Sequence, residues 1–198
     1  TILSLFLDSD FGLWVGLDNG VNYIDLNSPF THYISKRGTL GTIYALLKSD
    51  GKLYIGTNHG LFVANIERRA YSYEFTDVRF VPESQGQVWT LEQFDGQILC
   101  GHNNGIFLVR DDSMHQVSSI TGGWIFKPLG DYLIVGTYTC IVVLEKDKND
   151  LWQFKHRIKS FNEPIRYLET DYLGYIWASH HQKGLFRVEV SKDYSHSK

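Results

Sequence analysis

Gly12-Leu13-Trp14-Val15-Gly16-Leu17-Asp18-Asn19-Gly20-Val21 returns forty residues later as Lys52-Leu53-Tyr54-Ile55-Gly56-Thr57-Asn58-His59-Gly60-Leu61. A third copy reads Gln97-Ile98-Leu99-Cys100-Gly101-His102-Asn103-Asn104-Gly105-Ile106. Weaker fourth and fifth copies are Tyr132-Leu133-Ile134-Val135-Gly136-Thr137 and Gly174-Tyr175-Ile176-Trp177-Ala178-Ser179. Aligned on Trp14, Tyr54, Leu99, Ile134 and Trp177, the copies are spaced by 40, 45, 35 and 43 residues. A period near forty with strand-like content is the mark of a repeat architecture.

Each copy is preceded by a short apolar run, such as Ile2–Leu7, Ile43–Leu47 and Val88–Leu91, suited to a strand covered on both faces. Turn residues follow, as in Asp8-Ser9-Asp10-Phe11-Gly12 and Lys48-Ser49-Asp50-Gly51, and then the quoted strand ending on Gly. Asp18-Asn19-Gly20, Asn58-His59-Gly60 and Asn103-Asn104-Gly105 supply tight turns into a third strand. Fourth strands are expected at Phe30-Thr31-His32-Tyr33-Ile34, at Tyr71-Ser72-Tyr73-Glu74-Phe75 and at Leu151-Trp152-Gln153-Phe154, where Trp152 on an outer strand could serve an interface.

Four strands per forty residues joined by hairpin turns predicts the blade of a β-propeller. The expected fold is all-β, about five four-stranded blades near residues 1–38, 39–83, 84–120, 121–160 and 161–190, forming an arc of a larger ring. Residues 191–198 read as a polar, frayed tail or linker. Leucine-rich repeats are shorter, helical repeats need an apolar spacing no segment sustains, and an ordinary antiparallel sandwich would not recur five times. Because Thr1 falls inside a repeat, the chain reads as an excised piece, and an open arc would leave apolar blade faces at both ends.

With 43% hydrophobic and 15% aromatic residues the chain can build a sizeable core. A net charge of −3 with no extended basic cluster gives no nucleic-acid footprint. No apolar run is long enough to cross a membrane as a helix. Cys100 and Cys140 read as buried free thiols, since a bridge requires Cα atoms within about 7 Å.

In a propeller the loops between second and third strands gather on one face with the segments entering the innermost strands. That face would collect Asn58, His59, His102, Asn103, Tyr138, Thr139, His180 and His181, together with Trp89, Trp124 and Arg166 from the entry side. Amide, imidazole, guanidinium and aromatic groups around one funnel suit a neutral or acidic sugar. The competing reading is structural, because Asn-Gly and His-Gly steps are what turns demand. Trp14 and Trp177, inside the repeated phrase, read as core aromatics. His59, His102, His180 and His181 read as occupying comparable loop positions, spread too widely around a ring to hold a metal. No nucleophile elbow, HExxH or phosphate loop occurs, so no catalytic residue, metal or cofactor is expected.

The phrases Gly12–Val21 and Lys52–Leu61 resemble the two-component regulator propeller repeat, whose core runs G-x-L-W-I-G-T-x-x-G-L. The third copy keeps Gly101 and Asn104-Gly105 but has Leu99 for the aromatic. The fourth has Thr139-Cys140 where the later Gly belongs, and the fifth has Ser179 for Gly and inserts His180-His181-Gln182-Lys183. The resemblance implies the extracytoplasmic, periplasmic sensor region of a hybrid two-component histidine kinase of the kind found in Bacteroidetes. It implies a carbohydrate-fragment ligand, further propeller blades, an immunoglobulin-like domain, and a homodimer signalling to a kinase outside this chain. The expected role is non-enzymatic sensing. A protein-interaction scaffold and, less favoured, a propeller lyase or hydrolase using a funnel histidine with Tyr138 are the alternatives.

Overall fold

A computed structural model describes residues 1–30, 40–68 and 73–197. It is all-β, with no helix among the described residues, and so none long and apolar enough to cross a membrane. The chain divides into two compact units, residues 1–38 and 39–198.

The first unit carries one antiparallel sheet in the order β1 (Ile2–Leu7), β2 (Gly12–Leu17), β3 (Gly20–Asp25). The residues Thr31–Ile34 expected in its fourth strand lie outside the described residues. Asp8 organises its first turn: one carboxylate oxygen accepts the N–H groups of Asp10 (3.0 Å) and Gly12 (2.7 Å), the other the indole N–H of Trp14 (2.9 Å).

The second unit carries four antiparallel sheets, each a simple meander. The first is β4 (Ile43–Ser49), β5 (Lys52–Thr57), β6 (Leu61–Arg68) and β7 (Tyr73–Phe80). The next is β8 (Val88–Phe94), β9 (Gln97–His102), β10 (Gly105–Arg110) and β11 (Ser113–Ser118). It is followed by β12 (Ile125–Leu129), β13 (Tyr132–Gly136), β14 (Ile141–Lys146) and β15 (Trp152–Arg157). The last is β16 (Tyr167–Thr170), β17 (Ile176–His180) and β18 (Gly184–Val188). Of the predicted fourth strands, Tyr73-Glu74-Phe75 lies in β7, Tyr71-Ser72 lies outside the described residues, and Trp152-Gln153-Phe154 lies in β15.

The sheets of this unit pack face to face, with β4, β8, β12 and β16 adjoining in succession. Three apolar cores fill the spaces between them. Tyr54, Leu61 and Val63 meet Val88, Leu91, Ile98 and Cys100. Leu99, Ile106 and Leu108 meet Phe126, Leu133, Val142 and Leu144. Ile134, Ile141 and Val143 meet Ile165, Leu168, Ile176 and Ala178. Successive strand residues point to opposite faces, so Ile98 and Cys100 serve one core while Leu99 serves the next. That double burial is why these strands read as unbroken apolar runs.

Glycine in the repeated phrase has its explanation at these interfaces. A Cβ on Gly56 would lie 2.5 Å from Val88 Cγ1, one on Gly101 would lie 2.0 Å from the Gly123 carbonyl oxygen, and one on Gly136 would lie 2.5 Å from that of Ile165. In each case the obstruction belongs to the segment entering the following sheet. Polar clasps between neighbouring sheets reinforce the stacking: Lys52 and Arg79 both hold Asp112, Lys146 holds Asp95, and Lys127 holds Glu169.

Three expectations are corrected. Trp14 is not a core residue; it is 43% exposed, and Trp177 is half-buried with its indole N–H on Asp171 at 2.8 Å, the same turn anchor that Trp14 makes with Asp8. Trp152 does not face outward on an outer strand. Its ring is 6% exposed and belongs to the core between the β8–β11 and β12–β15 sheets, where its backbone N–H donates to Gln97 Oε1. Through residue 197 the polar tail is not frayed: Lys159 exchanges backbone bonds with Ser195 (2.8 Å) and Ser197 (3.0 Å), and Tyr194 packs on Tyr132 with ring centroids 5.3 Å apart. Cys100 and Cys140 are buried free thiols, and burial holds the Cys100 thiol well above its ordinary pKa.

Trp152→Ala removes a large ring from a closed core and is expected to cost about 3–5 kcal/mol in denaturant unfolding. Phe154→Ala, on the same strand but 40% exposed, is expected to cost far less.

Candidate functional site

In the second unit the residues after Gly56, Gly101, Gly136 and Ser179 lie at or just past the end of the second strand and cap the turn that follows. Thr57 Oγ1 accepts the His59 N–H (3.1 Å) and donates to the Gly60 carbonyl (3.0 Å). Thr137 Oγ1 accepts from Thr139 and Cys140 and donates to the Cys140 carbonyl at 2.7 Å. His102 and His180 do the same with Nδ1. His102 accepts from Asn104 at 3.1 Å, and His180 accepts from Gln182 and Lys183 at 3.0 Å each.

The four histidines are therefore not equivalent. His102 and His180 are buried turn caps matching Thr57 and Thr137, whereas His59 and His181 lie on the exposed turns beyond. His102 is 2% exposed and its Nε2 has no partner; burial lowers its pKa, opposed by the nearby Ser84 carbonyl. His180 faces Glu163 (Nε2–Oε2 3.4 Å) and stacks on His181 with centroids 4.8 Å apart. Hydrogen bonding by Lys183 at 2.6 Å holds the Glu163 carboxyl below the usual range.

The candidate asparagines are also committed to backbone. Asn58 donates its N–H to the Thr42 carbonyl (3.1 Å) and accepts the Thr42 N–H on Oδ1 (2.7 Å). Asn103 repeats both bonds with Gln87, at 2.9 and 2.8 Å. These two-point clasps tie the turn after the second strand to the segment entering the first. Tyr138, at the matching position, keeps the backbone bond, to Thr121, and frees its side chain for another use.

That use is in a groove across the first strands of the four sheets. The β4–β5 register passes from Ile43↔Thr57 to Ala45↔Gly56, leaving Tyr44 as an extra bulged residue. The β8–β9 register passes from Val88↔His102 to Thr90↔Gly101, leaving Trp89. Trp124 precedes Ile125, which faces Gly136, and Arg166 precedes Tyr167, which faces Ser179. Four successive repeats thus carry Tyr44, Trp89, Trp124 and Arg166 at one structural position, and a bulge re-aims the side chain it carries.

Together with Thr90, Glu92, Ile125 and Tyr167 these four residues line an open cavity of about 310 Å³. Its aromatic walls are mutually braced. Tyr44 and Trp89 centroids are 5.4 Å apart, Trp89 and Trp124 6.0 Å, and Trp124 and Tyr138 4.7 Å, all edge-to-face. The Trp89 indole N–H donates to the Tyr138 hydroxyl at 2.7 Å, which fixes the ring's orientation. The guanidinium of exposed Arg166 lies 5.8 Å from the Tyr167 ring centre. Half-buried Glu92 accepts on Oε1 from Thr90 Oγ1 and the Phe126 N–H, both at 3.4 Å, and burial raises its carboxyl pKa.

Of the sequence-derived candidates, the groove unites Trp89, Trp124 and Arg166, with Tyr138 bracing it. Asn58, His59, His102, Asn103, His180 and His181 do not line it. Sequence reasoning missed Tyr44, Glu92 and Tyr167. Tyr44 was findable, since it precedes the residue opposite Gly56 just as Trp89 precedes the one opposite Gly101. Among the described residues no cluster of histidine, cysteine and carboxylate groups could hold a metal ion. No family model and no curated protein matches the chain.

Asn103→Ala breaks a structural clasp and not a groove contact. It is expected to lower stability by about 1 kcal/mol in denaturant unfolding while leaving the near-ultraviolet signal of the Trp89–Trp124–Tyr138 cluster unchanged.

Proposed function

We propose that the sheets are blades of a β-propeller, an arc of a larger ring, and that the chain is the ligand-sensing part of an extracytoplasmic hybrid two-component sensor recognising a glycan fragment. The observation that carries this reading is the convergence of Tyr44, Trp89, Trp124 and Arg166, one from each of four successive sheets, on a single groove. Flat aromatic walls match the apolar faces of pyranose rings, and Arg166, Thr90 and Glu92 supply directional polar contacts beside them. The in-order meanders, the adjoining first strands and the shared cores between sheets support the propeller geometry.

Binding, not turnover, is the role that suits this groove. Glu92 is the one carboxylate among its lining residues, whereas glycoside hydrolysis draws on a pair. A ligand laid across four sheets is sensitive to their relative angles, and it biases signalling only by differing in affinity between two arrangements of the receptor. In this reading the further blades, an immunoglobulin-like domain, the dimer partner and the kinase act outside this chain, with the sensor on the periplasmic side.

The test is calorimetric titration with neutral and charged oligosaccharides. Trp89→Ala and Trp124→Ala are each expected to weaken binding about thirtyfold (~2 kcal/mol), while His59→Ala leaves it unchanged. Binding that survives both tryptophan substitutions would remove the groove as the site.

A further inference from the structure

Glu92 is the one feature of the groove that a neutral sugar does not explain. Its Oε1 is occupied, by two long bonds to Thr90 and Phe126, but Oε2 has no partner among the described residues and is not sealed from solvent. Among the described residues no cation is paired with it. The lysine whose charge acts on it, Lys127, has its ammonium on Glu169 at 2.5 Å, and the lining cation Arg166 precedes β16, two sheets further along. A carboxylate partly removed from water without a cation is a cost to the folded protein. Such a cost is recovered when a ligand brings the missing positive charge.

The surroundings of Glu92 suit a cation as well. Tyr44, Trp89, Trp124 and Tyr167 line the same groove, and aromatic faces attract ammonium groups through their quadrupoles. Trp89 and Trp124 are held edge-to-face, so a group seated beside one ring meets the edge or face of the other. We infer that the groove is built for an amine-bearing sugar, with Glu92 pairing the sugar's ammonium substituent and the tryptophans covering the sugar face. This rests on the glycan-groove reading and narrows the neutral or acidic sugar suggested by the loop residues to a cationic one. Arg166, at the far end of the groove, then binds hydroxyl or carboxylate groups of a neighbouring unit.

The probes are the β-1,4-linked glucosamine trimer with free amines and the same trimer N-acetylated, titrated calorimetrically into the full chain where the amines are protonated. The wild type is expected to bind the free-amine trimer about tenfold more tightly than the acetylated one. Glu92→Gln is expected to erase that difference without lowering the unfolding midpoint. Equal or weaker binding of the free-amine trimer, or a preference that persists in Glu92→Gln, overturns the assignment to Glu92 and leaves the groove as a sugar site. Binding of neither trimer nor of any neutral oligosaccharide overturns the groove reading itself.

Discussion

At Gly56, Gly101 and Gly136 the segment entering the next sheet comes so near that a methyl group would fall 2.5, 2.0 and 2.5 Å from its atoms. That approach sets the spacing of the second unit. It brings β4, β8, β12 and β16 side by side, closes three apolar cores behind them, and sets Tyr44, Trp89, Trp124 and Arg166 along one groove. The clasps of Asn58 and Asn103 and the caps of Thr57, His102, Thr137 and His180 hold the turns next to these glycines in the same geometry. Polar groups that look like a binding funnel in the sequence are consumed in building the stack.

The all-β class, the strand order and most strand positions are legible in the recurring phrase, because turn chemistry and apolar runs are local properties. What the phrase hides is register. Whether a histidine caps a turn or faces solvent depends on a single position, and counting three residues on from Tyr54, Leu99, Ile134 and Trp177 places His102 and His180 with Thr57 and Thr137. The bulge is hidden for a related reason. An extra residue in a strand leaves no mark on composition, so Tyr44 and Trp89 look like ordinary members of apolar runs. Trp14 and Trp177 mislead in the opposite sense: their place in the repeat is set by an aspartate six residues earlier, not by burial. Glu92 is invisible without the structure, since a lone carboxylate on a strand ordinarily means a solvated face.

The groove inherits its geometry from four successive sheets. A rigid aromatic wall braced by the Trp89–Tyr138 hydrogen bond sits at its centre, with Tyr44 at one end and Arg166 at the other. In the proposed sensing role, spanning elements held together mainly by packing would let a small ligand report on, and bias, the angle between them. Glu92 adds selectivity at a cost to the unliganded fold, which is the pattern expected where stability is traded for recognition.

The glycine approach is tested most directly by a double-mutant cycle at Gly56 and Val88 in denaturant unfolding. Gly56→Ala alone places its methyl against the Val88 side chain and is expected to cost about 1–3 kcal/mol. In the Val88→Ala background most of that cost disappears, because the obstructing Cγ1 is gone, and the two changes are strongly non-additive. Additive effects would mean that the two sheets do not meet at these residues and would contradict the stacking on which the groove depends.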